Sequence, residues 1–274
     1  MAEEETKSGV KRIIDILEGP RIKVVLVTMI SLAIFVAAWW VVAIFLDLAY
    51  LPTPDKVLEA LIDSFSRPDP NLGIDMWQNI GTSLYRFIAG FCLALVLAVP
   101  LGLVMGFSRL AEMLATPIIE VFRPIPPIAW VPFLFIVFGF ILGPIITIFI
   151  GVFFPVLSNV FFGVKSVDKI LLDVGRTQGA NKLQLFTKVI LPYTVPFLMT
   201  GVRIGLGIGW MCIVAAEIIG GVGGGVGFYI QLQADLSRFT YMFAGMIVVA
   251  ILGILTTGLA GYVEKVTRRR MGFT

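Results

Sequence analysis

Apolar runs about twenty residues long alternate along this chain with short connections rich in basic residues, proline or glycine. A helix needs ~20 apolar residues to cross ~30 Å of hydrocarbon. Val24–Leu46, Leu84–Phe107, Leu114–Phe138, Pro144–Val164, Val195–Ile219 and Tyr241–Val263 meet that length. The third run is interrupted by Pro117, Pro124, Pro126, Pro127 and Pro132; proline removes a backbone donor and clashes with the preceding turn, so an irregular span is expected there. The pattern predicts an all-α polytopic membrane protein with about six transmembrane helices.

Two connections carry a different period. Val10, Ile13, Ile14 and Leu17 fall at i, i+3, i+4 and i+7, with Lys11, Arg12, Asp15 and Glu18 around them, the pattern of a helix lying on a membrane surface. Val57, Leu58, Leu61, Ile62 and Phe65 make a similar stripe after Leu51-Pro52-Thr53-Pro54. The expected organisation is an amphipathic N-terminal helix over 1–23, a first span over 24–46, an outer loop with an interfacial helix over 47–83, a core over 84–267 that includes a loop at 165–192, and a basic tail over 268–274.

Charge fixes an expected orientation. With both termini in the cytoplasm, the inner face carries Lys7, Lys11, Arg12, Arg21, Lys23, Arg109, Lys165, Lys169, Arg176, Lys182, Lys188, Lys265, Arg268, Arg269 and Arg270, against Lys56, Arg67 and Arg238 outside. That asymmetry follows the positive-inside rule, and an odd number of spans would spoil it. Composition agrees: 58% of residues are hydrophobic, 14% charged, and the mean hydropathy is +0.96, where a soluble domain is about 25% charged. With no histidine, and with Cys92 and Cys212 as the two cysteines, both in apolar runs, a disulfide framework, a zinc site and His-dependent catalysis are not expected. The basic residues at span ends point to topology rather than to nucleic-acid binding.

The segment from Lys165 to Pro192 stands apart. Ile170, Leu171 and Val174 can share one short apolar face, and Leu183, Leu185, Phe186, Val189 and Ile190 a second, with Gly179 between them where the chain can reverse. A helix–Gly–helix hairpin with apolar positions to spare, outside the membrane, needs a partner surface. Asp173-Val174-Gly175, three residues, Gly179, nine residues, and Val189-Ile190-Leu191-Pro192 resemble the EAA loop of permeases in binding-protein-dependent ABC importers. Gly179, Leu191 and Pro192 match that pattern outright, Asp173 and Val189 are mild changes, and Val174 and Gly175 stand where the pattern has two alanines. Arg123-Pro124-Ile125-Pro126-Pro127-Ile128-Ala129-Trp130-Val131-Pro132, Leu51-Pro52-Thr53-Pro54 and Ala215-Ala216-Glu217-Ile218-Ile219-Gly220 resemble segments of the nitrate/sulfonate/taurine/bicarbonate branch of that family. The resemblance covers roughly Leu51 to Thr267.

The resemblance implies a type I ABC importer permease (MetI-like) fold in a prokaryotic inner membrane. It also implies a division of labour. The chain has no GxxxxGK[ST] with which to cradle a nucleotide phosphate, so no cofactor is expected in it and ATP belongs to a separate ATPase subunit. The loop residues expected to couple to that subunit are Asp173, Val174, Gly175, Gly179, Ala180, Leu183, Leu191 and Pro192. The other implied partners are an external solute-binding protein, to which the acidic segment Asp47–Asp75 offers a surface, and a second permease copy, as a homodimer or heterodimer. The implied cargo is a small anion such as nitrate, a sulfonate, taurine or bicarbonate. Glu120, Arg123, Pro126, Pro127, Trp130 and Glu217 are the candidates for lining the path, since ionisable groups and helix breaks at membrane depth mark function. Glu217 could equally make an interhelical hydrogen bond. Arg86 and Arg203, near span ends, are expected to snorkel. The rival readings are an ion-coupled secondary transporter or channel, which would show midplane carboxylates or inverted repeats, and a membrane enzyme, for which catalytic groups are lacking.

Overall fold

The computed structural model describes residues 20–70, 73–220 and 223–270; the expected amphipathic stripe at Val10–Leu17 lies outside them. The described residues are helical in order: α1 (Pro20–Leu46), α2 (Pro54–Ser66), α3 (Met76–Phe107), α4 (Arg109–Phe122), α5 (Pro127–Lys165), α6 (Lys169–Thr177), α7 (Lys182–Leu185), a π turn (Phe186–Ile190), α8 (Leu191–Gly220), α9 (Val226–Asp235) and α10 (Phe239–Arg270). The chain divides into two compact units, one up to Ala60 and one from Leu61 onward. In the first, α1 ends at Asp47, whose φ of 41° breaks the helix.

In the second unit α3 starts earlier than its apolar run. Asp75 caps it, accepting from the Gln78 amide while Gln78 accepts from the Asp75 amide, a reciprocal capping box. Glycines then bring helices together at backbone distance. Gly90 faces Ile145 and Ile148, Gly102 faces Leu157 and Val160, and Gly106 faces Val164. The residue numbers rise together, so α3 and the second half of α5 run parallel. Against α5, α8 is antiparallel: Gly163 meets Thr194 and Phe197, Gly201 meets Asn159, Gly205 meets Val152, and Gly151 meets Ile208 and Cys212. Close approach of small residues is how helices associate in lipid, where apolar burial between helices gains little. α10 returns antiparallel to α8, with the Trp210 indole donating to Thr256 and Thr200 donating to Glu264.

Five stretches of described helix are long and apolar enough to cross a membrane: Lys23–Leu46, Met76–Phe107, Pro127–Lys165, Lys182–Gly220 and Phe239–Arg269. The expected third span, Leu114–Phe138, is not among them as one helix. α4 ends at Phe122, four residues from Arg123 to Pro126 break the chain, and α5 begins on Pro127. Pro126 is extended, with ψ 134°, because Pro127 excludes the helical conformation from the residue before it; Pro127 itself suits a first helical position. α5 is 39 residues long and is broken at Gly139, with φ 71° and ψ −174°, a conformation open essentially to glycine alone.

The parallel register of α3 and α5 explains why this broken segment still traverses the core. α4 leaves the end of α3 beside Gly106 and Val164, whereas Phe135 lies against Gly143 and Gly220, at the opposite end. The chain must climb the full height of the bundle between Ser108 and Gly143, and does so in two helices rather than one. The connection from Lys165 to Pro192 and the C-terminal end of α10, where Arg268 reaches Thr200, share the other end.

A Gly106→Leu side chain would drive into Val164, while Gly258 has open space around its missing Cβ. Gly106→Leu is expected to lower the thermal midpoint of the detergent-solubilised protein by an amount equivalent to about 1–3 kcal/mol, and Gly258→Leu to leave it within about 0.5 kcal/mol.

Candidate functional site

At the end of the bundle shared by α10's C-terminus, Asp168 caps α6 by accepting from the Ile170 amide. Gly179 terminates that helix with φ 81°; its N–H donates to Arg176 O at 2.9 Å and the Ala180 N–H to Gly175 O at 3.0 Å. This is a Schellman motif, which needs a left-handed residue after the cap. Asn181 and Gln184 then form a second capping box at the start of α7, so the reversal is closed on both sides. Gly175 permits the two short helices to touch, because the Leu185 side chain occupies the space a Cβ would take.

The hairpin is half tethered and half bare. Leu172, Phe186 and Val189 pack on a cluster of Val164, Val167 and Ile190, while Ile170 is 67% exposed and Leu183 70%, with Leu171 and Val174 also exposed. Asp173 pairs with Arg176 at 3.0 Å on the open side. Ala180 is half-buried, and Leu191 and Pro192 are exposed where the π turn hands over to α8. Leu183 also borders an apolar groove of about 320 Å³, walled by Leu103, Phe107 and Phe186. The two apolar faces expected for this segment thus divide differently: Leu185, Phe186, Val189 and Ile190 turn inward, and Leu183 joins Ile170, Leu171 and Val174 outside. The π turn had no clear signal in the sequence beyond nearby Pro192, which cannot donate to the preceding turn.

A second feature sits at the break between α4 and α5. Arg123 and Pro127 border a cavity of about 390 Å³ whose other walls come from the middle of α5, including Phe154, Ser158 and Asn159, and from α8, including Ile208. Arg123 is itself exposed, and none of the ion pairs among the described residues includes it. Glu120 and Pro126 are exposed and do not border this cavity, and half-buried Trp130 lies between the Phe122 and Phe133 rings.

Glu217 lies elsewhere. Near the opposite end of the bundle from the hairpin, 3% exposed, it pairs with Arg86 at 3.0 Å and accepts from Ser83 and from the Gly227 amide. Arg86 also donates to Gly224 O, Ser83 accepts from the Val226 amide, and Asn79 accepts from the Gly225 amide. The carboxylate is therefore an interhelical hydrogen-bonding group that ties α3, α8 and the glycine loop together. Arg86 does not snorkel as expected: it is buried, because the carboxylate and the loop carbonyl offer better partners than the interface. Arg203, by contrast, is largely exposed and reaches Glu264 at 3.6 Å. Asn79, Ser83 and Arg86 follow i, i+4, i+7 spacing on one face of α3, a polar stripe that is the one sequence signal of this network.

The family model for "Binding-protein-dependent transport system inner membrane component" matches residues 98–269. An ABC transporter permease protein of Methanocaldococcus jannaschii is 39% identical over 87% of this chain and 90% of its own length. The taurine transport system permease protein TauC of Escherichia coli is 34% identical over 86% and 87%. The nitrate import permease protein NrtB of Leptolyngbya laminosa is 33% identical over 76% and 74%. Among solved structures, an inward-facing MetNI methionine ABC transporter chain superimposes with a TM-score of 0.59 at 19% identity, over 70% of this chain and 97% of that one.

Glu217→Gln would leave Arg86 buried without a counter-charge, and is expected to cost about 3 kcal/mol of stability. A double variant, Arg86→Met with Glu217→Leu, should recover much of that loss. Thermal melts of the wild type, Glu217→Gln and the double variant in one detergent check both expectations.

Proposed function

From the premise that this chain belongs to the inner membrane components of binding-protein-dependent transport systems, the ABC importer permeases, we propose that it couples to a separate ATPase through the Lys165–Pro192 hairpin. The observation that carries this reading is the hairpin's bare apolar face. Ile170, Leu171, Val174 and Leu183 are exposed on a segment of polar helix ends, capped at both sides of Gly179, where lipid is a poor partner and a protein groove a good one. Its rigid closure would carry a push directly into α5 and α8, since Leu172, Phe186 and Val189 are packed on residues at their ends. Domain closure on the ATPase would then reach the spans as rigid-body movement.

The chain itself binds no nucleotide in this reading; ATP is held and hydrolysed by the partner subunit. An external binding protein delivers the solute from outside the membrane, and the acidic segment Asp47–Asp75 is the docking surface proposed for it. Two permease copies enclose the path, and a homodimer is the simplest assembly. The cargo is a small anion or a small solute bearing an oxyanion group, of the kind for which the relatives are named, zwitterionic taurine, aliphatic sulfonates and nitrate, or bicarbonate. The hairpin and the C-terminal end of α10 face the cytoplasm, as the basic residues clustered there favour.

Leu183→Asp and Ile170→Asp place a charge on positions about two-thirds exposed, Leu183 at the rim of the apolar groove and Ile170 clear of it. Each is expected to reduce co-purification of the cognate ATPase at least roughly tenfold, equivalent to ~1.4 kcal/mol, with the yield of the permease unchanged. Full retention of the ATPase by both variants would overturn the docking assignment.

A further inference from the structure

We infer that the cavity beside Arg123 is an anion-holding station midway along the path, with Arg123 as the charge that selects cargo there. The inference rests on the permease reading above and adds a site and a selectivity to it. Depth comes first. α4 rises about 20 Å over its length from the hairpin end of the bundle, and Arg123 caps it. Across the cavity stand Phe154 and Ser158, roughly midway between Gly143, level with the opposite end, and Lys165 at the hairpin end. Arg123 is exposed, and about 20 Å of helix separates it from the hairpin end, whereas a snorkelling arginine sits near a span end.

Charge comes second. An arginine at that depth is costly unless it meets a carboxylate or faces a water-filled space. Among the described residues no ion pair includes Arg123, and no carboxylate borders the cavity. The polar groups that do border it are uncharged: the Ser158 hydroxyl, and Asn159, whose amide donates to Pro155 O at 2.8 Å. The broken backbone at Arg123–Pro126 carries the same requirement for protein or water around it.

Chemistry comes third. Phe154 and Ile208 make the remaining wall apolar, which lowers the local dielectric and strengthens the pull of one guanidinium on an anion. A guanidinium can donate two parallel hydrogen bonds to a sulfonate, a carboxylate or nitrate. One cation with a single hydroxyl nearby attracts a passing anion without the many-ligand cage that would trap it, as transit requires. A volume of about 390 Å³ far exceeds that of one water, about 30 Å³, so a hydrated oxyanion fits.

The test reads the potential in the cavity without needing the binding protein. In a full-length chain carrying Cys92→Ser, Cys212→Ala and Ser158→Cys, assembled with its ATPase, the thiol is reacted with anionic 2-sulfonatoethyl methanethiosulfonate and with cationic 2-(trimethylammonium)ethyl methanethiosulfonate. The anionic reagent is expected to be favoured, and Arg123→Gln to lower the anion-to-cation rate ratio at least roughly tenfold, while Arg123→Lys keeps most of it. A ratio that Arg123→Gln leaves unchanged, or a thiol that neither reagent reaches, overturns the inference. Co-purification of the ATPase shows that each variant is folded. ATP-driven taurine and nitrate uptake by the complex supplied with its external binding protein reports separately on the permease reading, so a loss of coupling and a loss of anion preference are told apart.

Discussion

Backbone contact between glycine-bearing helices is the interaction on which everything else in this structure depends. In lipid a helix gains little by burying apolar surface against its neighbour, so α3, α5 and α8 are held by proximity. Gly90, Gly102 and Gly106 let α3 reach α5, and Gly151, Gly163, Gly201 and Gly205 let α5 reach α8. The contacts fix direction as well as distance. Because α3 and α5 lie parallel, the intervening chain has to climb back through the bundle, and Pro124, Pro126 and Pro127 together with Gly139 make that return a broken one. A cavity with an arginine at mid-depth is the outcome.

The two ends of the bundle are built for different work. At one end a buried ion pair, Arg86 with Glu217, is fully enclosed by Ser83 and by the backbone of the glycine loop at Gly224–Gly227. Buried charge of this kind adds little stability over an apolar replacement, but it is costly to leave half-paired, and it holds the loop in one arrangement. At the other end the hairpin is rigid in itself, capped at both sides of Gly179, yet bare on its outer face. A stiff element with an unfilled surface transmits force; a floppy one would absorb it. The cavity lies between the buried ion pair and the hairpin.

Much of this plan is legible in the sequence, for identifiable reasons. Apolar runs set by bilayer thickness locate α1, α3, α8 and α10 directly, and the spacing around Gly179 gives the hairpin. The third span resisted. Composition places apolar residues across Leu114–Phe138 but cannot say that Arg123–Pro126 and Gly139 split the return into two helices, since that depends on φ and ψ at single residues. Pairing across helices was equally hidden. Arg86 and Glu217 lie far apart in the chain, and nothing local tells an arginine with a buried partner from one that reaches the interface. The exposed and tethered halves of the hairpin also separate only once Leu185 is seen to pack on Gly175.

Orientation is the claim on which the coupling scheme stands, and labelling tests it most directly. In right-side-out vesicles, single cysteines placed at Thr177 on the hairpin and at Ser237 between α9 and α10, in a background without Cys92 and Cys212, are exposed to a membrane-impermeant maleimide. The account predicts that Ser237→Cys is labelled at once and that Thr177→Cys reacts only after the vesicles are permeabilised. Labelling of Thr177→Cys from outside in sealed vesicles would contradict it, because no ATPase could then reach the hairpin.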